Sequence, residues 1–292
     1  MQTTFFISSS AIRASYGAAF DAARARNIRD ALAEDIGPQD QTGRLIPADQ
    51  RCEARVMVRE AAVLCGAPWF SEAMHQIDPH IQIDWPSPEG AFVRAGETVC
   101  TLRGPARALL AGERCALNFL QLLSGVATGT RRYVDAITGT RARIFDTRKT
   151  LPGLRLAQKY AVRIGGGENQ RLGLYDGILI KENHIAAAGG IKAALVAAQA
   201  LDAHVPVQIE VETLAQLEEA LACQASLILL DNFTLDALHA AVQLNTQRAV
   251  LEVSGGVNLD TVRAIAETGV DRISVGALTK HVHAVDYSMR MI

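Results

Sequence analysis

Four runs decide the fold: Val207-Gln208-Ile209-Glu210-Val211-Glu212, Leu227-Ile228-Leu229-Leu230-Asp231, Val250-Leu251-Glu252-Val253-Ser254 and Arg272-Ile273-Ser274-Val275-Gly276. Each is short and largely apolar. Segments with helical spacing of apolar residues fit between them, at 214–223, 235–244 and 259–268. From Asp231 to Ser254 is 23 residues and from Ser254 to Gly276 is 22. That is the βα rhythm of a parallel sheet or barrel. Two similar runs lie upstream, at 143–147 and 177–181, so about six such strands are expected, fewer than a closed barrel holds.

Further upstream the pattern changes. Residues 106–124 carry apolar residues at 109, 110, 116, 117, 120 and 123, which predicts a helix ending at Gly125. Residues 51–102 alternate and are rich in Pro and Gly, a small mixed β region. Residues 15–34 read as a helix that breaks at Gly37-Pro38.

The chain has 292 residues, of which 49% are hydrophobic and only 5% aromatic. A sizeable core follows, built from Ala, Leu, Val and Ile, which suits helices packed on buried strands. No apolar run is long enough to span a membrane. The apolar patch Phe5–Ile7 is too short for a signal-peptide core, so a cytoplasmic location is expected. Cys52, Cys65, Cys100, Cys115 and Cys223 are odd in number, scattered and free of C-x-x-C spacing, as in reduced thiols. A net charge of −2 argues against a nucleic-acid binder. Of 29 basic residues only five are lysine, at 149, 159, 181, 192 and 280, and none falls in the first 148 positions.

Polar residues cluster where the apolar runs end: Asp146-Thr147-Arg148-Lys149, Lys181-Glu182-Asn183-His184, Glu210 with Glu212, Asp231-Asn232, Ser254-Gly255-Gly256 and Gly276-Ala277-Leu278. In parallel α/β barrels these ends converge on the face that carries active sites. Strand parity puts Glu210 and Glu212 on one face, opposite Ile209 and Val211. Residues 141–184 hold nine basic and four acidic side chains, and residues 205–254 hold seven acidic and one basic. A cationic wall suits carboxylates or phosphates, and converging acids suit hydroxyls or a hard cation such as Mg²⁺. Glycines after a strand and before a helix let backbone N–H groups approach an anion. Taken singly, Glu182, Glu252 and Asp176 read as solvated or locally paired charges. Gly165-Gly166-Gly167 reads as a flexible loop, His184 as a structural hydrogen-bonding residue, and Arg114 as a surface charge in mid-helix. Lys159, Lys192 and Lys280 carry no expectation of chemistry.

Several strings resemble those of the quinolinate phosphoribosyltransferase family, also called carboxylating nicotinate-nucleotide pyrophosphorylases. They are Asp146–Arg155, Lys159–Val162, Gly165–Leu172, Leu179–His184, Leu230–Phe233, Glu252–Gly256 and Ser274–Thr279, with Glu34-Asp35 and Gly112–Asn118 upstream. The resemblance covers nearly the whole chain. It implies an α/β fold: an N-terminal α/β sandwich (1–124, completed by the tail 279–292) plus an incomplete parallel α/β barrel (125–278). It implies a homodimer or an assembly of dimers, with Arg114 contributed across the interface. The reaction it implies joins quinolinate to phosphoribosyl pyrophosphate, with Mg²⁺, giving nicotinate mononucleotide, pyrophosphate and CO₂. Carried over by residue, Arg148, Arg171 and Lys181 resemble the clamp on the quinolinate carboxylates, and Lys149 stands where quinolinate meets pyrophosphate. Glu210 and Asp231 resemble the acids that hold ribose hydroxyls and metal. Ser254, Gly255, Gly256, Gly276 and Ala277 resemble the 5′-phosphate cradle.

Two departures from the family pattern stand out. Gln170 occupies a position where many relatives carry His; its amide can still bond a carboxylate but cannot carry charge. The Pro38–Thr42 stretch lacks the usual Gly before its Asp, which reads as a changed turn. Strand-end lysines also suit a Schiff-base aldolase. A molybdenum-transport paralogue and a non-catalytic anion-binding protein are further readings, although the intact Lys181-Glu182-Asn183-His184 string argues against the paralogue.

Overall fold

The computed structural model describes residues 8–292, so the patch Phe5–Ile7 lies outside the described residues. The N-terminal half runs α1 (Ser9–Tyr16), α2 (Ala18–Ile36), β1 (Arg51–Val58), β2 (Ala62–Val63), α3 (Ala67–Ile77), β3 (Gln82–Asp84), β4 (Phe92–Val93), β5 (Thr98–Pro105) and α4 (Ala106–Ala136). Then come β6 (Arg143–Phe145), α5 (Arg155–Ile164), β7 (Ile178–Ile180), α6 (Glu182–Ala188), α7 (Ile191–Ala200), β8 (Val207–Val211) and α8 (Leu214–Ala222). The chain closes with β9 (Leu227–Asp231), α9 (Leu235–Asn245), β10 (Val250–Ser254), α10 (Val262–Glu267), β11 (Arg272–Ser274), α11 (Ala277–Lys280) and β12 (Tyr287–Met291). The chain divides into two compact units, and the sequence boundary expected at 124/125 falls inside α4.

One unit takes the described residues up to 131, together with 150–166 and 278–292. Its antiparallel sheet runs β12-β1-β5-β3, so the C-terminal tail supplies an edge strand beside β1. Phe20, Trp69 and Tyr160 form an aromatic cluster with ring centroids 5.1–5.4 Å apart. Glu89 accepts from the Gly66 and Ala67 N–H groups at the start of α3 (2.8 and 3.0 Å) and from the Tyr160 hydroxyl (3.1 Å). Burial raises the Glu89 pKa, and those hydrogen bonds oppose the shift.

Four expectations need correction here. The helix expected over 15–34 is two helices, interrupted at Gly17. The mixed β region also contains α3, which begins Gly66-Ala67-Pro68 with Pro in the first turn. Gly125 does not end the long helix: α4 runs through it to Ala136, and a Cβ there would lie 2.2 Å from the His283 carbonyl oxygen. Glycine is present for close packing, not as a stop signal. The Gly165-Gly166-Gly167 stretch is likewise tied down, since the Gly165 carbonyl accepts from Arg131 Nε (3.0 Å).

The other unit takes 132–149 and 167–277. It is a six-stranded parallel sheet in the order β6-β11-β10-β9-β8-β7. Every strand pairs with its chain neighbour except β6 and β7, so this is an α/β barrel left open between its first two strands. β9 and β10 span the residues expected from sequence, because buried parallel strands read as continuous apolar runs. The covering helices bury residues at helical spacing: Ile191, Ala194, Leu195 and Ala198 in α7, Leu217, Ala220 and Leu221 in α8, and Leu238 and Ala241 in α9. Thr213 and Thr234 cap α8 and α9 by accepting from the Gln216 and Ala237 N–H groups, each worth about 1 kcal/mol. The helix expected from 259 begins only at Val262, because Asn258 first forms a turn whose side chain accepts from the Asp260 and Thr261 N–H groups.

Candidate active site

The C-terminal ends of the six strands bring most of the expected residues together in the barrel unit. At the end of β6, Asp146 is fully buried and accepts from Asn169 Nδ2 (2.7 Å) and the Gln170 N–H (2.8 Å). The Asp146 and Glu168 backbones also exchange hydrogen bonds with this edge, Asp146 N–H to the Glu168 carbonyl and Glu168 N–H to that of Ile144. The 168–170 segment therefore lies against β6 like the start of another strand. It leads directly into Arg171.

Arg171 donates from Nη1 to the Gly177 carbonyl (3.0 Å). Burial and then the Arg148 charge lower its pKa, while Asp176 opposes them. Both arginines are half-buried, Arg148 just after β6 and Arg171 in the loop that leads to β7, and guanidiniums suit carboxylates or phosphates. Lys149 follows Arg148 and is exposed; a Cβ on Gly276 would lie 3.3 Å from its Cδ, so the Gly276 backbone and the Lys149 stem are neighbours.

Lys181 ends β7, and its Nζ reaches both oxygens of Glu210 on β8 (3.1 and 2.9 Å). Glu210 points inward and is nearly buried, whereas Glu212 lies beyond the strand and is exposed. The expectation that both carboxylates enter the mouth therefore holds only for Glu210, because β8 ends at Val211. His184 accepts from the Lys181 N–H through Nδ1 (3.1 Å), a local structural bond at the start of α6.

Asp231 ends β9 and pairs in register with Ser254 at the end of β10. Asn232, at φ 56°, donates its side-chain amide to Asp231 (2.7 Å) and its N–H to the Ser254 carbonyl (3.0 Å). Gly255 adopts φ +99°, and a Cβ there would sit 2.1 Å from Asn232 Oδ1, so no other residue fits this turn. Gly256, at φ +61°, faces open space. These glycines do not abut a helix; the Asn258 turn separates them from α10. Gly276 and Ala277 lie at the end of β11, where Ala277 begins α11. Arg114 is exposed on α4, in the other unit.

Sequence reasoning missed the barrel interior. Glu252 is not a solvated charge: it is fully buried on β10 and accepts from Gln208 Nε2 (3.1 Å), from Ser274 Oγ and, on both oxygens, from Gln170 Nε2. The alternation that pointed Glu210 inward points Gln208 inward too, and that signal was available in β8. The proposed facing of charged segments also narrows. Glu212, Glu218, Glu219 and Asp236 are exposed, and Lys159 is fully buried in α5, in the other unit. Arg141 and Arg143 pair with Asp271 and Glu168. A cavity of about 310 Å³ lies at the opposite, N-terminal ends of the strands, and its arginines are already engaged: Arg141 with Asp271, and Arg248 with the Leu244 and Asn245 carbonyls.

An open α/β barrel with basic and acidic side chains gathered at its C-terminal strand ends has the architecture of an α/β-barrel enzyme. The family model described as "Quinolinate phosphoribosyl transferase, C-terminal domain" matches residues 126–290, and the corresponding N-terminal domain model matches residues 40–124. The chain belongs to the quinolinate phosphoribosyltransferase family. It is 44% identical over 257 residues to a probable nicotinate-nucleotide pyrophosphorylase [carboxylating] of Bacillus subtilis, covering 88% of this chain and 89% of that one. It is 43% identical over 280 residues to the Mycobacterium leprae nicotinate-nucleotide pyrophosphorylase [carboxylating], covering 92% and 97%. The solved structure of the Francisella tularensis nicotinate-nucleotide pyrophosphorylase superposes with a TM-score of 0.91 at 44% identity, covering 93% and 97%.

Proposed function

We propose that this chain transfers the phosphoribosyl group of phosphoribosyl pyrophosphate to quinolinate and releases CO₂, the step that forms nicotinate mononucleotide in de novo NAD synthesis. The observation that carries this reading is that Arg148, Lys149, Arg171 and the Lys181–Glu210 pair all lie at or just beyond the C-terminal ends of strands of one parallel sheet. A dicarboxylate placed on the two guanidiniums is oriented by bidentate bonds. Lys181 supports the substrate side of the rim, and Lys149, beside Gly276, stands where quinolinate meets pyrophosphate. Backbone N–H groups at Ser254, Gly255, Gly256, Gly276 and Ala277 cradle the 5′-phosphate.

The pyridine nitrogen attacks the anomeric carbon as the bond to pyrophosphate breaks, its electron pair leaving on the pyrophosphate oxygen. Glu210 and Asp231 stabilise the cationic character that develops on the ribose. The positive charge on the quaternised ring nitrogen then stabilises the carbanion left on the adjacent carbon when CO₂ departs, and that carbon takes up a proton. Two carboxylates at the ends of adjacent strands, Glu210 on β8 and Asp231 on β9, fit a Mg²⁺ ion, which usually reaches protein through one or two carboxylates and substrate phosphates. Glu210 and Asp231 would hold it, and the ion would neutralise charge on the leaving group.

Arg114 completes the site from a second copy of the chain in a homodimer or assembly of dimers. A cytoplasmic setting is supported by five free cysteines; no helix among the described residues is long and apolar enough to cross a membrane. One assay tests the activity: quinolinate, phosphoribosyl pyrophosphate and Mg²⁺, monitoring nicotinate mononucleotide, with nicotinate as control. Turnover of quinolinate alone is expected; turnover of nicotinate but not quinolinate would overturn the reading.

A further inference from the structure

The family resemblance implies that Gln170 binds substrate, but its side-chain amide turns toward the barrel interior. Its Nε2 donates to both oxygens of Glu252, so the part of the amide able to hold a substrate carboxylate is directed at a carboxylate of the protein. Glu252 is immobile for clear reasons. It is fully buried, and Ser274 Oγ and Gln208 Nε2 also donate to it from β11 and β8. A buried carboxylate with several donors is a fixed point, since moving any donor exposes an unsatisfied charge in the interior.

The segment before Arg171 is attached to fixed points at every residue. Glu168 is bonded by its backbone to β6, Asn169 by its side chain to Asp146, and Gln170 by its N–H to Asp146 and by its amide to Glu252. Arg171 itself is held at Gly177, and the next two N–H groups donate to Asp176 (2.6 and 2.9 Å). The Gln170–Glu252 contact joins this segment to β10, and through Glu252 to β8 and β11.

We infer that Gln170 is a positioning residue: through it, buried Glu252 sets where Arg171 stands beside Arg148, and neither Gln170 nor Glu252 touches the substrate. This rests on the assignment of the arginine pair to quinolinate. The two ideas fail separately, because wild-type turnover of quinolinate tests the activity and the coupling below tests only the positioning.

The experiment is a charge swap read by steady-state kinetics with each substrate varied in turn. Gln170→Glu sets carboxylate against carboxylate and is expected to raise the KM for quinolinate tenfold or more, with the KM for phosphoribosyl pyrophosphate within twofold. Adding Glu252→Gln restores a donor–acceptor pair of reversed sense and is expected to bring the quinolinate KM back to within about threefold of wild type. Gln170→Ala keeps the Ser274 and Gln208 donors on Glu252 and is expected to share the selective KM defect, with thermal melting within a few degrees of wild type. If the double variant is no better than Gln170→Glu alone, or if Gln170→Ala leaves the quinolinate KM unchanged, the inference is overturned.

Discussion

The two ends of the same parallel sheet handle charge in opposite ways. At the N-terminal ends, Arg141 pairs with Asp271, Asp271 also accepts the Leu251 N–H (2.9 Å), and Arg248 donates to two carbonyls at the end of α9. That end neutralises itself. At the C-terminal ends, Lys181 pairs with Glu210, burial and then the Arg148 charge lower the Arg171 pKa, and a turn with Gly255 at φ +99° separates β10 from its helix. In the proposed reading, the same kinds of side chain serve stability at one end and recognition at the other.

The largest expected effect comes from removing the arginine pair. Arg148→Ala with Arg171→Ala should lower kcat/KM for quinolinate roughly a thousandfold, since each charge-assisted contact is worth about 1.5–3 kcal/mol. Either single change should cost about ten- to a hundredfold, and melting should shift by only a few degrees, since Arg171 gives up one hydrogen bond to the Gly177 carbonyl, worth about 1 kcal/mol. A drop in melting temperature comparable to that of a core variant would mean the pair is structural.

Next is Lys181→Ala, expected to cost about tenfold or more in turnover; near-wild-type activity would remove Lys181, and the Glu210 contact, from the account. Gly255→Ala is a smaller structural perturbation. A side chain at φ +99° against Asn232 costs about 1–3 kcal/mol, and it should raise the KM for phosphoribosyl pyrophosphate more than that for quinolinate. At the other end of the sheet, Arg141→Ala should leave kcat/KM within twofold and shift melting by only a few degrees, because exposed pairs contribute roughly 0–1 kcal/mol.

The smallest effect concerns Glu89, away from both ends. Its folded pKa is raised by burial, so the folded state binds the proton more tightly than the unfolded chain. Its contribution to stability is therefore greatest below the ordinary carboxylate range and falls as pH rises through the raised value. Glu89→Gln, which cannot ionise, should show a flatter melting-temperature profile across that window; an unchanged slope would assign the pH dependence elsewhere.

The rim of the site was more legible in sequence than its supports. β9 and β10 emerge residue for residue because strands buried on both faces need unbroken apolar runs. Lys181, Glu210 and Asp231 stand out because charge at the end of such a run is conspicuous. Glu252 was misread for a related reason: a single acid within an apolar strand looks like an exception, and its partners Gln170 and Ser274 lie 82 and 22 residues away. Nothing local marks a hydrogen-bond network that closes across the barrel. α3 was hidden by the turn-rich strands around it, and Gly125 by a packing contact with His283 that no local pattern encodes.

The central claim is that the C-terminal rim selects a dicarboxylate through the Arg148–Arg171 pair. Calorimetric titration of wild type, Arg171→Ala and Arg141→Ala with quinolinate and with nicotinate tests it most directly. Wild type and Arg141→Ala should bind quinolinate at least tenfold more tightly than nicotinate, and Arg171→Ala should lose that preference. A preference that survives Arg171→Ala, or disappears in Arg141→Ala, would contradict it.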